Sequence, residues 1–151
     1  IMPSLVGSEM CIRDRYRNDM EGGQTNEFRP LILVAEDDDS NFKLIKAIIG
    51  KKCDIQWAKN GEEIVALFKE YGKEAKAILM DIKMPVMNGL DATKIIREEN
   101  KEIPIIMQTA YAFSSDKENA MNAGASEVLV KPITLSILRG TLTKYFPELV
   151  W

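Results

Sequence analysis

Five short apolar runs, each trailed by a stretch whose apolar residues recur at helical spacing, constrain this chain more than any other feature. Leu31-Ile32-Leu33-Val34-Ala35 is unbroken by a polar residue, as a strand buried on both faces of a parallel sheet should be. After it, Phe42, Ile45 and Ile49 repeat at helical intervals with Leu44 and Ile48 beside them, and Gly50 stands where that helix can stop. Asp54 to Ala58 reads as a more polar strand, suited to a sheet edge. Asn60 can cap the next helix, in which Ile64, Leu67, Phe68 and Tyr71 form one face. Ala77-Ile78-Leu79-Met80 is a third strand that runs straight into Asp81. Asn88-Gly89 reads as a turn, and Ala92, Ile95 and Ile96 as the inward side of a third helix. Ile103 to Met107 is the fourth strand, Ala112 to Asn122 a weaker helix ended by Gly124, and Glu127 to Val130 the fifth strand. Leu135, Leu138, Leu142 and Phe146 define the last helix, inside which Gly140 costs ~1 kcal/mol relative to alanine.

Alternation of this kind predicts an α/β fold, a parallel sheet with helices on both faces. Loops at the C-terminal ends of the strands then converge near the switch in strand order. Here those loops carry Glu36-Asp37-Asp38-Asp39 after the first strand and Asp81 after the third. Thr109-Ala110 follows the fourth strand and Lys131-Pro132 the fifth. Glu36 and Asp37 lie nearest the strand and should project into the crevice towards Asp81. Asp38, Asp39 and Ser40 are placed to cap the helix instead.

Carboxylates crowded together repel, and a divalent cation is their natural counter-charge. The chain has no histidine, so a metal must be held by oxygen, magnesium or calcium rather than zinc. Magnesium fits because it needs few carboxylates. The same acidic loop would repel a bound phosphate, which argues against a flavin or nucleotide held there. Beside a cation, the Asp81 carboxylate can accept a phosphoryl group while charge on that group is neutralised. A Thr109 hydroxyl and a Lys131 ammonium can each take a phosphoryl oxygen. Taken singly, these are a turn aspartate, a loop threonine and a surface lysine; placement at successive strand ends makes them a candidate site. Lys131-Pro132 is also a dipeptide compatible with a cis bond.

Other functions are constrained by composition. A hydrophobic share of 46% in 151 residues supports one domain with a real core. A net charge of -3 argues against non-specific nucleic-acid or membrane-surface binding. No apolar run approaches the ~20 residues of a membrane helix. Cys11 and Cys53 are too few for a disulfide framework or a zinc cluster, and a reducing, cytoplasmic setting fits. Glu9-Met10-Cys11-Ile12-Arg13-Asp14-Arg15 is encodable by GAG ATG TGT ATA AGA GAC AGR, which resembles the transposon end of sequencing-library adaptors. Residues 1–15 are therefore expected to be non-native, with coding sequence missing upstream. Residues 16–30, polar and containing Gly22-Gly23, read as a linker.

Four segments resemble, in order, the motifs of response regulator receiver domains. They are Ile32-Leu33-Val34-Ala35-Glu36-Asp37, Met80-Asp81-Ile82-Lys83-Met84-Pro85-Val86-Met87-Asn88-Gly89, Pro104-Ile105-Ile106-Met107-Gln108-Thr109-Ala110 and Lys131-Pro132-Ile133. The resemblance implies a flavodoxin-like, doubly wound (βα)5 three-layer sandwich with strand order 2-1-3-4-5 over residues 31–147, and a short tail over 148–151. It implies Asp81 as phosphoacceptor, and Glu36, Asp37, Asp81 and the backbone carbonyl of Lys83 as ligands of Mg2+. Thr109 and Lys131 become contacts of the phosphoryl group. The implied donor is a phosphohistidine on a sensor histidine kinase or a histidine phosphotransfer protein.

Such a domain assists its own phosphorylation and dephosphorylation and is no independent enzyme. It is expected to be either a single-domain regulator or, preferred here, the C-terminal receiver of a hybrid sensor kinase, cytoplasmic and tethered through a missing membrane sensor. Homodimer formation through the last two helices is a further expectation. Val128 stands three residues before the lysine, where the family often has an aromatic residue, so the usual aromatic switch is in doubt. Lys83 and Tyr111, each two residues past a site residue, are expected to shield the phosphoryl group and slow its loss. Two rival readings share part of this pattern. A magnesium phosphatase needs a second aspartate two residues after the first, where this chain has Lys83. A degenerate receiver, acting as a constitutive interaction module, should have lost the acidic pair, the acceptor or the lysine.

Overall fold

The structure, a computed structural model, describes residues 28–110 and 114–151. The adaptor-like segment, most of the linker, Cys11, Tyr111 and Ala112 lie outside the described residues. Five strands alternate with five helices: β1 (Leu31–Ala35), α1 (Asp39–Ile49), β2 (Asp54–Ala58), α2 (Gly61–Tyr71), β3 (Ala75–Asp81), α3 (Gly89–Glu99), β4 (Ile105–Thr109), α4 (Ser114–Ala123), β5 (Glu127–Val130) and α5 (Leu135–Tyr145). The strands form one parallel sheet in the order β2-β1-β3-β4-β5, as the family resemblance implies.

Strand position explains strand composition. β1 and β4 lie inside the sheet and every residue in them is buried. β2 is an edge strand, and its burial alternates between full and partial along its length. On one face, Ile45, Ile49, Leu138 and Leu142 of α1 and α5 pack on Ile32, Val34 and Leu79. On the other, Ile64, Leu67, Ile96 and Ala120 of α2, α3 and α4 pack on Leu33, Ile78 and Met107. Each fully buried aliphatic side chain contributes roughly 1.5–3 kcal/mol, so these two layers outweigh exposed ion pairs such as Lys59–Asp39 at 3.7 Å, worth about 0–1 kcal/mol.

Three boundaries differ from the sequence reading. β3 begins at Ala75, two residues early, because exposed Lys76 interrupts the apolar run without interrupting the strand. β4 begins at Ile105 rather than Ile103, because Pro104 has no N–H to give the ladder; its carbonyl instead accepts from the N–H of Ile78. Asn88-Gly89 is no free-standing turn. Asn88 caps α3 by accepting from the N–H of Asp91 at 2.9 Å, and Gly89 is the first helical residue. That start sets the inward face to Gly89, Ala92, Thr93 and Ile96, leaving Ile95 only half-buried. Gly124 does end α4, at a φ of 114° that disfavours any side chain.

The chain entering β1 packs on the domain. Arg29 donates to the Lys51 carbonyl at 2.6 Å and pairs with buried Asp54 at 3.3 Å, while the Phe28 ring lies 6.1 Å from that of Phe146. At the other end, Leu149 is buried and the Trp151 indole donates to Thr143 Oγ1 at 2.9 Å. Cys53 is buried ahead of β2, and burial pushes its thiol up to about 12. No helix among the described residues is long and apolar enough to cross a membrane.

Candidate functional site

Parallel strands deliver their C-terminal ends to one rim, and the polar residues named above meet there. Glu36 follows β1 directly and is fully buried; Asp81 is the last residue of β3 and is 5% exposed. Asp37 faces solvent beside them. Glu36, Asp37 and Asp81 each offer a carboxylate oxygen, and these oxygens all lie within 4.8 Å of one another. Lys131 follows β5. Its ammonium donates to Asp81 Oδ2 at 3.0 Å and to Glu36 Oε1 at 3.4 Å. The Lys131–Pro132 peptide is cis. Thr109 ends β4, is 5% exposed, and its carbonyl accepts from the N–H of Lys131 at 2.7 Å, tying two strand ends together.

Neighbouring acids play another part. Asp38 caps α1 by accepting from the N–H of Ser40 at 2.9 Å, and Asp39 pairs with Lys59. Lys83 is exposed and lines, with Asp37, Met84, Pro85 and Asn88, an open cleft of about 500 Å³ beside the carboxylates. Tyr111 lies outside the described residues.

Electrostatics follow from burial and crowding. Burial raises the Glu36 carboxyl to about 8, helped by its hydrogen bond to Asp81 and by that residue's charge; Lys131 and the Asp38 N–H act in the opposite direction. Burial pulls Lys131 down, but its bonds to Asp81 and Glu36 and their charges outweigh that, and the net shift is upward. Asp37 and Asp81 already outnumber the single Lys131 ammonium, and ionising Glu36 adds a third negative charge, so the pocket is short of positive charge. All its donors are hard oxygens, and it fits a small divalent cation such as Mg2+.

Two positioning features escaped the sequence reading. A Cβ on Gly89 would collide with the main-chain oxygen of Asp81, and the Gly89 N–H donates to the Ile82 carbonyl at 2.8 Å. α3 thus begins hard against the end of β3, and the Asn-Gly pair gave only a turn signal. Trp57 on β2 donates through Nε1 to the main-chain carbonyl of Glu36 at 2.8 Å, a bond across 21 residues that no local motif announces.

The family described as "Response regulator receiver domain" matches residues 32–143. This chain belongs to that family. As a receiver domain it is a module of two-component and phosphorelay systems, a family that binds Mg2+. Over 129 residues it is 41% identical to hybrid signal transduction histidine kinase I of Dictyostelium discoideum, an alignment that covers 78% of the chain but only 7% of that kinase. Among solved structures it resembles the receiver domain of sensor histidine kinase PA1611 from Pseudomonas aeruginosa, which has a magnesium ion coordinated in its active-site cleft. The TM-score is 0.73 at 30% identity, with 80% of this chain and 99% of that one covered. It also resembles a co-crystal of the Saccharomyces cerevisiae histidine phosphotransfer protein Ypd1 with the receiver domain of the response regulator Ssk1. Here the TM-score is 0.73 at 28% identity, covering 81% of this chain and 93% of that one.

Proposed function

We propose that Asp81 is the phosphoacceptor of this receiver, taking a phosphoryl group from a phosphohistidine on a sensor histidine kinase or a histidine phosphotransfer protein. A carboxylate oxygen of Asp81 forms the new P–O bond while the donor's P–N bond breaks and the nitrogen keeps the electron pair. Glu36, Asp37, Asp81 and the backbone carbonyl of Lys83 would hold Mg2+, which when bound neutralises charge on the transferring group. The Lys131 ammonium donates to Asp81 beforehand and would donate to a phosphoryl oxygen afterwards. The Thr109 hydroxyl takes a second oxygen and passes the change to α4. Lys83, exposed at the mouth of the cleft, shields the product and slows its hydrolysis.

One observation carries this reading: from three separated stretches of sequence, the acidic pair and the strand-end aspartate bring carboxylate oxygens within 4.8 Å of one another, and the lysine donates to Glu36 and Asp81. The same convergence weighs against a degenerate receiver that acts only as an interaction module. Similarity to kinases of which this chain spans a small part supports a place as the receiver of a cytoplasmic-facing hybrid histidine kinase. Exposed apolar side chains on the last two helices, Met121 on α4 and Leu135 and Ile137 on α5, support pairing of two copies through those helices. The test is incubation with acetyl phosphate, with and without Mg2+, read by intact mass. The expected result is one added phosphoryl group that requires both the metal and Asp81. Uptake that persists in Asp81→Asn, or that ignores metal removal, overturns the proposal.

A further inference from the structure

Both main-chain polar groups of Glu36 are held by β2. Its N–H donates to the Ala58 carbonyl at 2.9 Å, an ordinary continuation of the sheet. Its C=O accepts from the indole N–H of Trp57 at 2.8 Å, which is not. Trp57 itself is in register with Val34, two residues before Glu36, so the ring reaches forward along β1 to the point where the strand ends.

The indole is held as firmly as the carbonyl it holds. Its ring stacks on Phe42 of α1 with centroids 4.0 Å apart and planes 1° from parallel. The Lys59 ammonium lies 4.8 Å from the ring centroid and pairs with Asp39 at the start of α1. The carbonyl in question belongs to the peptide joining Glu36 to Asp37, the two adjacent acids of the carboxylate cluster. An uncompensated change in ψ of Glu36 or φ of Asp37 turns that peptide and swings the two side chains relative to each other. A main-chain dipole fixed by a rigid, stacked donor resists that rotation, and partners of this outer kind commonly govern metal affinity by about 10–100-fold.

We infer that Trp57 is a positioning residue for the cation site, acting through the Glu36 carbonyl to preset the Glu36–Asp37 peptide. This inference rests on the proposed cation role of Glu36 and Asp37. It assigns to an edge-strand tryptophan a task that its half-buried, aromatic character alone would credit to packing.

The test separates the N–H from the ring. Trp57→Phe keeps an aromatic face for Phe42 but removes the donor; Phe42→Leu removes the stack but keeps the donor. Binding is read by Mn2+ titration, following the free ion by electron paramagnetic resonance. Function is read as the Mg2+ dependence of phosphorylation by acetyl phosphate. Trp57→Phe is expected to weaken Mn2+ binding about tenfold and to raise the Mg2+ requirement in step, while the rate at saturating Mg2+ stays within about twofold of wild type. Phe42→Leu is expected to bind Mn2+ nearly as wild type does. Equal affinity in Trp57→Phe and wild type overturns the inference, as does an equal loss in the two variants, which would make the stack the active element. Absence of Mn2+ binding in the wild-type chain instead removes the underlying cation site.

Discussion

The Lys131 ammonium sits 3.0 Å from Asp81 Oδ2 and 3.4 Å from Glu36 Oε1, so one ammonium serves two buried carboxyl groups. Removing one partner of such a cluster leaves charge uncompensated in a place where water is scarce, a loss of about 3–5 kcal/mol for well-buried pairs. Lys131→Met is therefore expected to lose about 3 kcal/mol in chelator, at the lower end because the lysine is one-fifth exposed. Mg2+ should restore more stability to this variant than to wild type, since it becomes the sole counter-charge. Urea unfolding with chelator and with Mg2+ measures both. Equal stabilisation of variant and wild type would show that lysine and cation do not share the pocket.

Gly89 tests how tightly the acceptor is held. A methyl group there meets the Asp81 main-chain oxygen and comes within 2.9 Å of Met80 Cγ. The first contact sets a Cβ against a main-chain oxygen, and neither has a rotamer that relieves it. Overpacking of this kind typically costs 1–3 kcal/mol. Gly89→Ala is expected to lose about 3 kcal/mol and most of its phosphoryl uptake from acetyl phosphate. Uptake at the wild-type rate in a folded Gly89→Ala chain would mean that the end of β3 tolerates displacement.

Side-chain patterns reveal strands, helix faces and strand-end residues, and are silent on contacts made by main-chain atoms. Buried strands were legible because β1 and β4 contain nothing that must face water, and helix faces because Ile64, Leu67, Phe68 and Tyr71 keep strict spacing. Glu36, Asp37, Asp81, Thr109 and Lys131 were legible because parallel topology sends every strand end to one rim. Lys76 hid the start of β3, since an exposed lysine within a strand breaks an apolar run without breaking its ladder. Gly89 and Trp57 were hidden for a different reason. Their work is done on main-chain atoms of residues distant in the chain, and side-chain patterns carry no record of main-chain approach.

Gly140 gives the opposite outcome to Gly89. It lies in α5, is exposed, and a Cβ there would meet nothing within 4 Å. With no steric term, only helix propensity and unfolded-chain entropy remain, and both favour alanine. Gly140→Ala is expected to stabilise the fold by about 1 kcal/mol without altering phosphoryl uptake. Chemical denaturation at constant m-value checks it; no gain would point to a role for the bare position.

The most informative pH experiment concerns Glu36. Its carboxyl, at about 8 in the folded chain against an ordinary 4.5, keeps a proton that the unfolded chain has already released across that interval. The folded state therefore binds more protons than the unfolded one between these values, and stability falls as pH rises through the window. The sign is opposite to that of a salt-bridged carboxylate with a depressed value. In chelator, the wild-type chain is expected to melt at progressively lower temperature from pH 5 to pH 8, and Glu36→Gln, which cannot release a proton, should flatten that slope. Cation binding needs the carboxylate form, so Mg2+ should bind more tightly as pH rises over the same interval and release a proton when it binds. Melting scans across the window, paired with Mn2+ titrations at its two ends, read both effects. A wild-type slope equal to that of Glu36→Gln would show that Glu36 is ionised throughout, with Lys131 alone sufficient to hold its charge.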